Sequence, residues 1–521
     1  MVERQNRWKQ LVVGRTLRLV TLAGGACLIV ALTAVLWAQA TVSDPGVRGI
    51  NWCTGCANTV GTFQSTLTTQ EQESEAPATT QFETSAVVTC NTDGSNVTGC
   101  GLGPRFNGNS CSSCHAQPVA GGSSPSGLPS GPGLCNGASC TNPLFQVYQG
   151  DGTDAFSNTM PSFETLYGPV LIPRFPYQSD LKTPDGTVHQ LFTIAGTSYS
   201  GCTIAQPNFT QAQQQNNLVF RQPLPLFGDG YIDFIQNKDI LNNLNANLSL
   251  KASLGIGGVP SMSGSDGSVQ RMGWKAQWRA VLPATLAEEK VEEGISNELL
   301  PTEIDQTPGC VINAVPEDPT NYSYLYGDPG STGKTGMHPW FFLADAERDA
   351  IFERFLERPE TATQLLGAAG CPGGVQKSCT NGQTDFNNVG CVLCHTTSFT
   401  TPPASIPSQG HIVLNLFSDL VLHHMGSCLA DNITEGAAAG DMWRTAPLWD
   451  VGQRIAFMHD GRTTNILTAI EEHADGWQKG HGGGCTGVGT YQNSEADAVI
   501  KNFNNLTVSQ QQDLINFLRS L

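Results

Sequence analysis

The chain has 521 residues, with 57 Gly, 30 Pro and only 14% charged side chains, a composition that argues against a regular helical bundle and for a loop-rich exported protein. Its formal net charge of −18 excludes a surface built for nucleic acid or anionic lipid and favours a basic partner. Seventeen cysteines predict a product that carries disulfides.

Residues 1–40 read as an export signal. Arg4, Arg7, Lys9, Arg15 and Arg18 form a basic start, an apolar run follows from Leu19 to Leu36, and Ala38-Gln39-Ala40 resembles a small-residue cleavage site. An uncleaved membrane anchor is the alternative, with Trp37 at the interface. The reading predicts a periplasmic location. Cleavage removes five basic residues and one acidic one, leaving 22 Lys+Arg against 44 Asp+Glu.

Residues 41–98, with a Thr/Ser/Glu/Gln stretch from Thr66 to Thr84, are expected to be a flexible lead-in. Within it Cys53-Thr-Gly-Cys56 is followed by Ala57, so a structural disulfide is the better reading there. Two strings differ: Cys111-Ser-Ser-Cys114-His115 and Cys391-Val-Leu-Cys394-His395 each have the order and spacing of a covalent c-type haem site. The two thiols add across the haem vinyl groups, and the adjacent imidazole turns onto the iron. A partial zinc site would need a second Cys/His pair nearby. Four cysteines are thereby assigned to haem. Plausible local disulfides are Cys90 with Cys100, Cys135 with Cys140 and Cys371 with Cys379, while Cys202, Cys310, Cys428 and Cys485 need long-range partners.

The expected fold is mainly α with long irregular loops, and two cytochrome c-type haem domains, residues 99–340 with insertions and 341–521. The insertions are the Gly/Ser/Pro-rich Gly121 to Gly133 and the Gln/Asn-rich Thr203 to Asn217. Helical patterning predicts helices over 282–300, 344–366, 412–424, 465–474 and 508–521. The last is the clearest: Thr507 and Gln510 make a capping box, and Leu514, Phe517, Leu518 and Leu521 follow on one face. Ile466, Ala469, Ile470 and His473 also share a face, which aims His473 at an apolar interior.

Four further strings carry a family resemblance: Gly101-Leu-Gly-Pro-Arg-Phe-Asn107, Arg271-Met-Gly-Trp-Lys-Ala276, Asp441-Met-Trp-Arg-Thr-Ala-Pro-Leu-Trp449 and Phe457-Met-His-Asp-Gly-Arg462. With the haem motifs they resemble the bacterial di-haem oxidoreductases of peroxidase type, distant relatives of the di-haem cytochrome c peroxidases, over about residues 99–521. The resemblance implies two haems, with electrons entering at the second and reducing an oxidant, hydrogen peroxide first among candidates, at the first. It also implies a small cytochrome or cupredoxin as electron donor.

In that family a His-Asp-Gly signature, here His459-Asp460-Gly461, lies fourteen residues before the distal ligand of the second haem, usually Met; here His473 stands at that position. Met425 and Met458 are rival ligands. No histidine occurs between His115 and His189, so the first haem is expected to keep an open face unless His189 closes it from a loop. Asp233 stands where the family supplies an acid/base Glu, and Trp274 where an aromatic can relay electrons between haems. One of His423 and His424 is a candidate partner for a haem propionate. Related peroxidases hold calcium between their domains, but no oxygen-ligand loop of suitable spacing is visible here. Two other functions fit the same cofactors: an electron carrier with both irons six-coordinate, and an oxidase of thiols or of a partner protein.

Overall fold

The structure, a computed structural model, describes residues 41–48, 60–89, 100–125, 141–145, 158–194, 201–262, 266–319, 343–475 and 490–521. The export-signal reading of 1–40 and the Cys53/Cys56 pair lie outside these residues. No described helix is long and apolar enough to cross a membrane.

Helices and irregular segments dominate, as the Gly- and Pro-rich composition implies. The C-terminal helix Val508–Arg519 starts on the expected capping box, with Thr507 accepting from Gln510 and the Gln510 side chain returning to Thr507. Its face of Leu514, Ile515, Phe517 and Leu518 is buried. It crosses the helix Gln376–Val389, which the sequence reading missed because its face is mostly polar. Gly382 makes the crossing possible: a Cβ there would sit 1.9 Å from the Asp513 carbonyl oxygen. A helix-interior glycine, unfavourable by about 1 kcal/mol against alanine, is thus required by close approach. Phe386, Phe417 and Phe517 meet edge to face beside the crossing, with ring centres 5.6–6.1 Å apart.

Several predicted helices are shorter than expected, each for a local reason. The segment 344–366 is two helices, Asp345–Phe355 and Ala362–Leu366, split at the Arg358-Pro359 step where a helix cannot continue. The segment 282–300 is the helix Val281–Glu288 running into a π-helical turn, Glu289–Glu293, that stops at Gly294 with φ 74°. The segment 465–474 is the helix Ile466–Glu471, capped by Asn465. The helix expected over 412–424 is absent. Val413–Leu414 and Leu422–His424 are strands, pairing antiparallel with Phe399–Thr400 and Met442–Arg444. Between them Phe417 and Leu420 have positive φ, and the side chains of Ser418 and Asp419 accept the backbone N–H groups of Leu420 and Val421, bonds that compete with a helix.

The expected flexible lead-in is instead packed where described. Phe82, on the helix Glu75–Glu83, stacks on Phe352 of the helix Asp345–Phe355 with ring centres 4.0 Å apart. Residues 41–48 lie along the C-terminal helix, where Asp44 pairs with buried Arg519 at 2.6 Å. A buried charge network joins early and late parts of the chain: Arg221 and Lys275 both pair with Asp431, and Arg174 and Arg221 with Glu435.

Cys371 pairs with Cys379, as expected from their spacing, and Cys202 with Cys310 across 108 residues. Cys100 and Cys428 are also disulfide-bonded. Cys90, Cys135, Cys140 and Cys485 lie outside the described residues.

Candidate functional site

Two large cavities lie over the two Cys-x-x-Cys-His strings. In the first, Ser110 caps the one-turn helix Cys111–Cys114 by accepting the Ser113 N–H, and His115 follows at its end. The His115 Nδ1 lies 2.8 Å from the Leu224 carbonyl oxygen. That oxygen can only accept, so Nδ1 carries the proton and Nε2 keeps its lone pair. Burial holds the His115 pKa down to about 4, keeping the ring neutral as a ligand must be.

The second site repeats this logic. Gly390, with φ 108°, turns the chain out of the helix Gln376–Val389 and into Cys391–Leu393. His395 donates from Nδ1 to the Phe417 carbonyl at 2.9 Å, and His473 to the Ala469 carbonyl at 2.7 Å. Burial is the leading cause lowering both pKa values, that of His395 to about 4. The two rings face each other with centres 6.4 Å apart. Two imidazoles on opposite sides of one metal, each bonded at roughly 2.0 Å, place their ring centres about 6.3 Å apart. Met425 and Met458 also line this cavity.

The four motif cysteines are unpaired thiols, and burial raises those of Cys114 and Cys391 to about 12. Cys114 and Cys391 are not poised as thiolate ligands. The cavities contain about 1310 and 1440 Å³ of space free of protein atoms, partly open to solvent. Arg444 lines both, and Arg454 lines the second with a buried Nη2 that has no hydrogen-bond partner. A buried guanidinium nitrogen without a partner beside facing imidazoles fits a planar cofactor with carboxylate substituents, as haem is.

The first cavity differs from the second in what faces its histidine. Among the described residues no second histidine lines it. His189 stacks on Phe175 with ring centres 3.8 Å apart, pairs with Asp185 at 3.1 Å, and is not part of the lining. Met272 is. The π-helical turn places Glu289, Glu292 and Glu293 on the wall together with Glu288; such turns are frequent at functional sites.

Asp233 lies outside the lining, contrary to the role expected of it. Its Oδ1 accepts the Val281 N–H at 3.0 Å, where a helix begins, and its Oδ2 pairs with Arg354 at 3.0 Å. Asp229, one helical turn earlier, lines the cavity. Burial raises its pKa to about 7 despite the Arg444 guanidinium. The sequence reading passed over Asp229, Arg444 and Arg454. Arg444 stands inside a string quoted for the family resemblance, and only helical phase and the position of the wall distinguish Asp229 from Asp233.

Trp274 lines both cavities and donates from Nε1 to the Gln222 carbonyl. It meets Trp443 edge to face at 6.3 Å, and Trp443 stacks on His459 at 3.9 Å. His423 lies between Asp419 and Glu495, and His424 bonds Asp441, so the adjacent histidines serve different partners. The one cluster among the described residues with metal-ligand spacing is Cys394, Asp419 and His423, and it shares the motif cysteine.

Residues 364–521 match the family described as "Di-haem oxidoreductase, putative peroxidase". A structure of Kuenenia stuttgartiensis hydrazine synthase, pressurised with 20 bar xenon, is similar at 16% identity and a TM-score of 0.22, over 44% of this chain and 71% of that one. No curated protein matches the chain. Apart from Trp274, the residues that line the second cavity lie within this matched segment. Over 364–521 the chain thus matches the model of the di-haem oxidoreductase family that its sequence resembles.

Proposed function

We propose that the protein is an exported di-haem c-type oxidoreductase that takes electrons at the second cavity and reduces hydrogen peroxide at the first. The supporting observation is the asymmetry between the cavities: His395 faces His473 at a separation fitting one iron between them, whereas among the described residues no imidazole faces His115. Cys111 and Cys114 would attach one haem and Cys391 and Cys394 the other, in two cytochrome c-type domains. Haem iron supplies one-electron chemistry and, where an axial position is open, a place for a small oxidant to bind.

The chain's own residues supply the rest. Arg444 and Arg454 offer charge partners for haem propionates. Asp229 is the group placed to take a proton from one peroxide oxygen and return it to the other, since it lines the first cavity and titrates near neutrality. Asp233 keeps its neighbour's helix in place. Trp274, common to both linings, is the relay. The acidic surface favours a cationic donor, such as a small cytochrome or cupredoxin. Calcium has no assigned ligands in this reading.

Met272 favours a second reading, because it lines the first cavity and a thioether there would close the iron of an electron carrier. A spin-state and redox titration of the purified protein, with and without peroxide, separates the two. About one haem in the high-spin ferric state, oxidised rapidly by peroxide, supports the enzyme. Two low-spin haems inert to peroxide support the carrier.

A further inference from the structure

The segment 41–48 lies far from both haem motifs in sequence and makes a dense set of bonds to the second cavity's outer wall. Asp44 is central to it. Its side chain is only 8% exposed and receives two bonds from the Arg519 guanidinium, at 2.8 and 2.6 Å. Its Oδ2 also accepts the Ile466 N–H at 2.9 Å, at the first residue of the helix Ile466–Glu471. One turn into that helix, the Ala469 carbonyl receives the Nδ1–H of His473. Val42 packs on the same apolar cluster as Ile466 and Ala469.

We infer that Asp44 is a positioning residue for the distal imidazole of the second haem, acting through the helix Ile466–Glu471; this rests on the reading that His473 ligates that haem. The physical argument is leverage. A six-residue helix has little stability of its own and is held by its contacts. Asp44 joins the start of this helix to Arg519, which is itself fixed on the C-terminal helix and over the Phe457 ring at 5.2 Å. Releasing Asp44 frees the end of the helix opposite His473, and any tilt moves the Ala469 carbonyl that sets the tautomer and direction of the imidazole. A plain stability clamp would look similar in a melting curve and different in a spectrum.

The test compares purified wild type with Asp44→Ala, His473→Ala and Gln512→Ala. Gln512 ties the same segment through Ser43 at 2.9 Å without touching Asp44. Electron paramagnetic resonance reports the low-spin ferric signal of the second haem. Carbon monoxide titration of the reduced protein reports how readily its distal position opens.

We expect Asp44→Ala to weaken the low-spin signal and to bind one more carbon monoxide per molecule than wild type, its distal position opening roughly tenfold more often, the order expected for loss of a hydrogen bond to a charged group. Gln512→Ala should keep the wild-type spectrum. An Asp44→Ala protein with wild-type signal and wild-type carbon monoxide uptake overturns the inference. If instead His473→Ala leaves the second haem unchanged, the ligand reading fails first. Should Asp44→Ala not accumulate, Asp44→Asn, which removes the charge partner of Arg519, is read by the same two measurements.

Discussion

His395 and His473 approach across the second cavity with ring centres 6.4 Å apart and planes inclined at 63°, each proton-bearing Nδ1 bonded to a backbone carbonyl. Both Nε2 atoms therefore keep their lone pairs for a metal, and burial disfavours the charged form of both rings. A thioether is a weaker electron donor than imidazole, so exchanging one for the other should move the haem potential upward. Potentiometric titration of His473→Met is expected to show one of two haem potentials raised by at least about 59 mV, a tenfold change in a one-electron equilibrium. Two unmoved potentials would remove His473 from the ligand set.

In the proposed reading Asp229 serves the chemistry and Asp233 the structure, which two variants separate. Asp229→Asn should lower peroxide turnover by about 10²- to 10⁴-fold with little change in melting temperature, as expected for loss of a general acid/base. Asp233→Asn removes an ion pair and weakens the start of the helix Val281–Glu288, so its main effect should be on stability, about 1–3 kcal/mol by chemical denaturation. The pH profile adds a sign. Asp229 must be deprotonated to accept the first proton, so turnover should rise with pH through about 7, and Asp229→Asn should abolish that limb. Equal losses of turnover in both variants would count against the assignment.

What could be read from the sequence followed the range of each interaction. The two Cys-x-x-Cys-His strings and the Thr507/Gln510 capping box are local, and their geometry is fixed by a few consecutive residues. The Gln376–Val389 helix was not legible. Its buried face is thin, and its Gly382 is explained only by Asp513, far along the chain. The strands at 413–414 and 422–424 were misread because an apolar run fits either periodicity, and turns at Phe417 and Leu420 decided between them. Asp44 gave no signal, since its partners Ile466 and Arg519 are 422 and 475 residues away. Asp229 lies only four residues before Asp233, yet choosing it over Asp233 needs the cavity wall itself.

The Arg221, Lys275 and Asp431 network predicts an acid limit to stability. Burial alone would raise the Asp431 pKa, but Arg221 and Lys275 outweigh it and hold the carboxyl at about 2, below the ordinary 3.8. A group with a depressed folded-state pKa contributes stability above its unfolded value and loses it as pH falls through the folded one. Stability from this site should therefore be intact above about pH 4 and decline toward pH 2. Asp431→Asn leaves two buried cations short of a carboxylate and is expected to cost about 3–5 kcal/mol at neutral pH. Denaturant midpoints measured from pH 2 to 7 check both statements, and a variant with the same acid profile as wild type would argue against the network.

Gly382 tests whether the helix crossing beside the second cavity is as close as it looks. Alanine in a helix interior is intrinsically better than glycine by about 1 kcal/mol, so on propensity alone Gly382→Ala would stabilise the protein. The added carbon, however, meets the Asp513 carbonyl at 1.9 Å, and it also approaches the Phe517 Cβ at 2.8 Å. Backbone on a neighbouring helix cannot rotate away as a flexible side chain can, so relief requires the two helices to part and the Phe386, Phe417 and Phe517 contacts to loosen. Overpacking of this kind costs about 1–3 kcal/mol, which exceeds the propensity gain at all but its lower end. Gly382→Ala should thus lower the denaturation midpoint, and Gly382→Leu should reduce haem content at the second site as well, measured by pyridine haemochrome against protein. A stabilised Gly382→Ala would mean that the helices cross farther apart than these distances indicate.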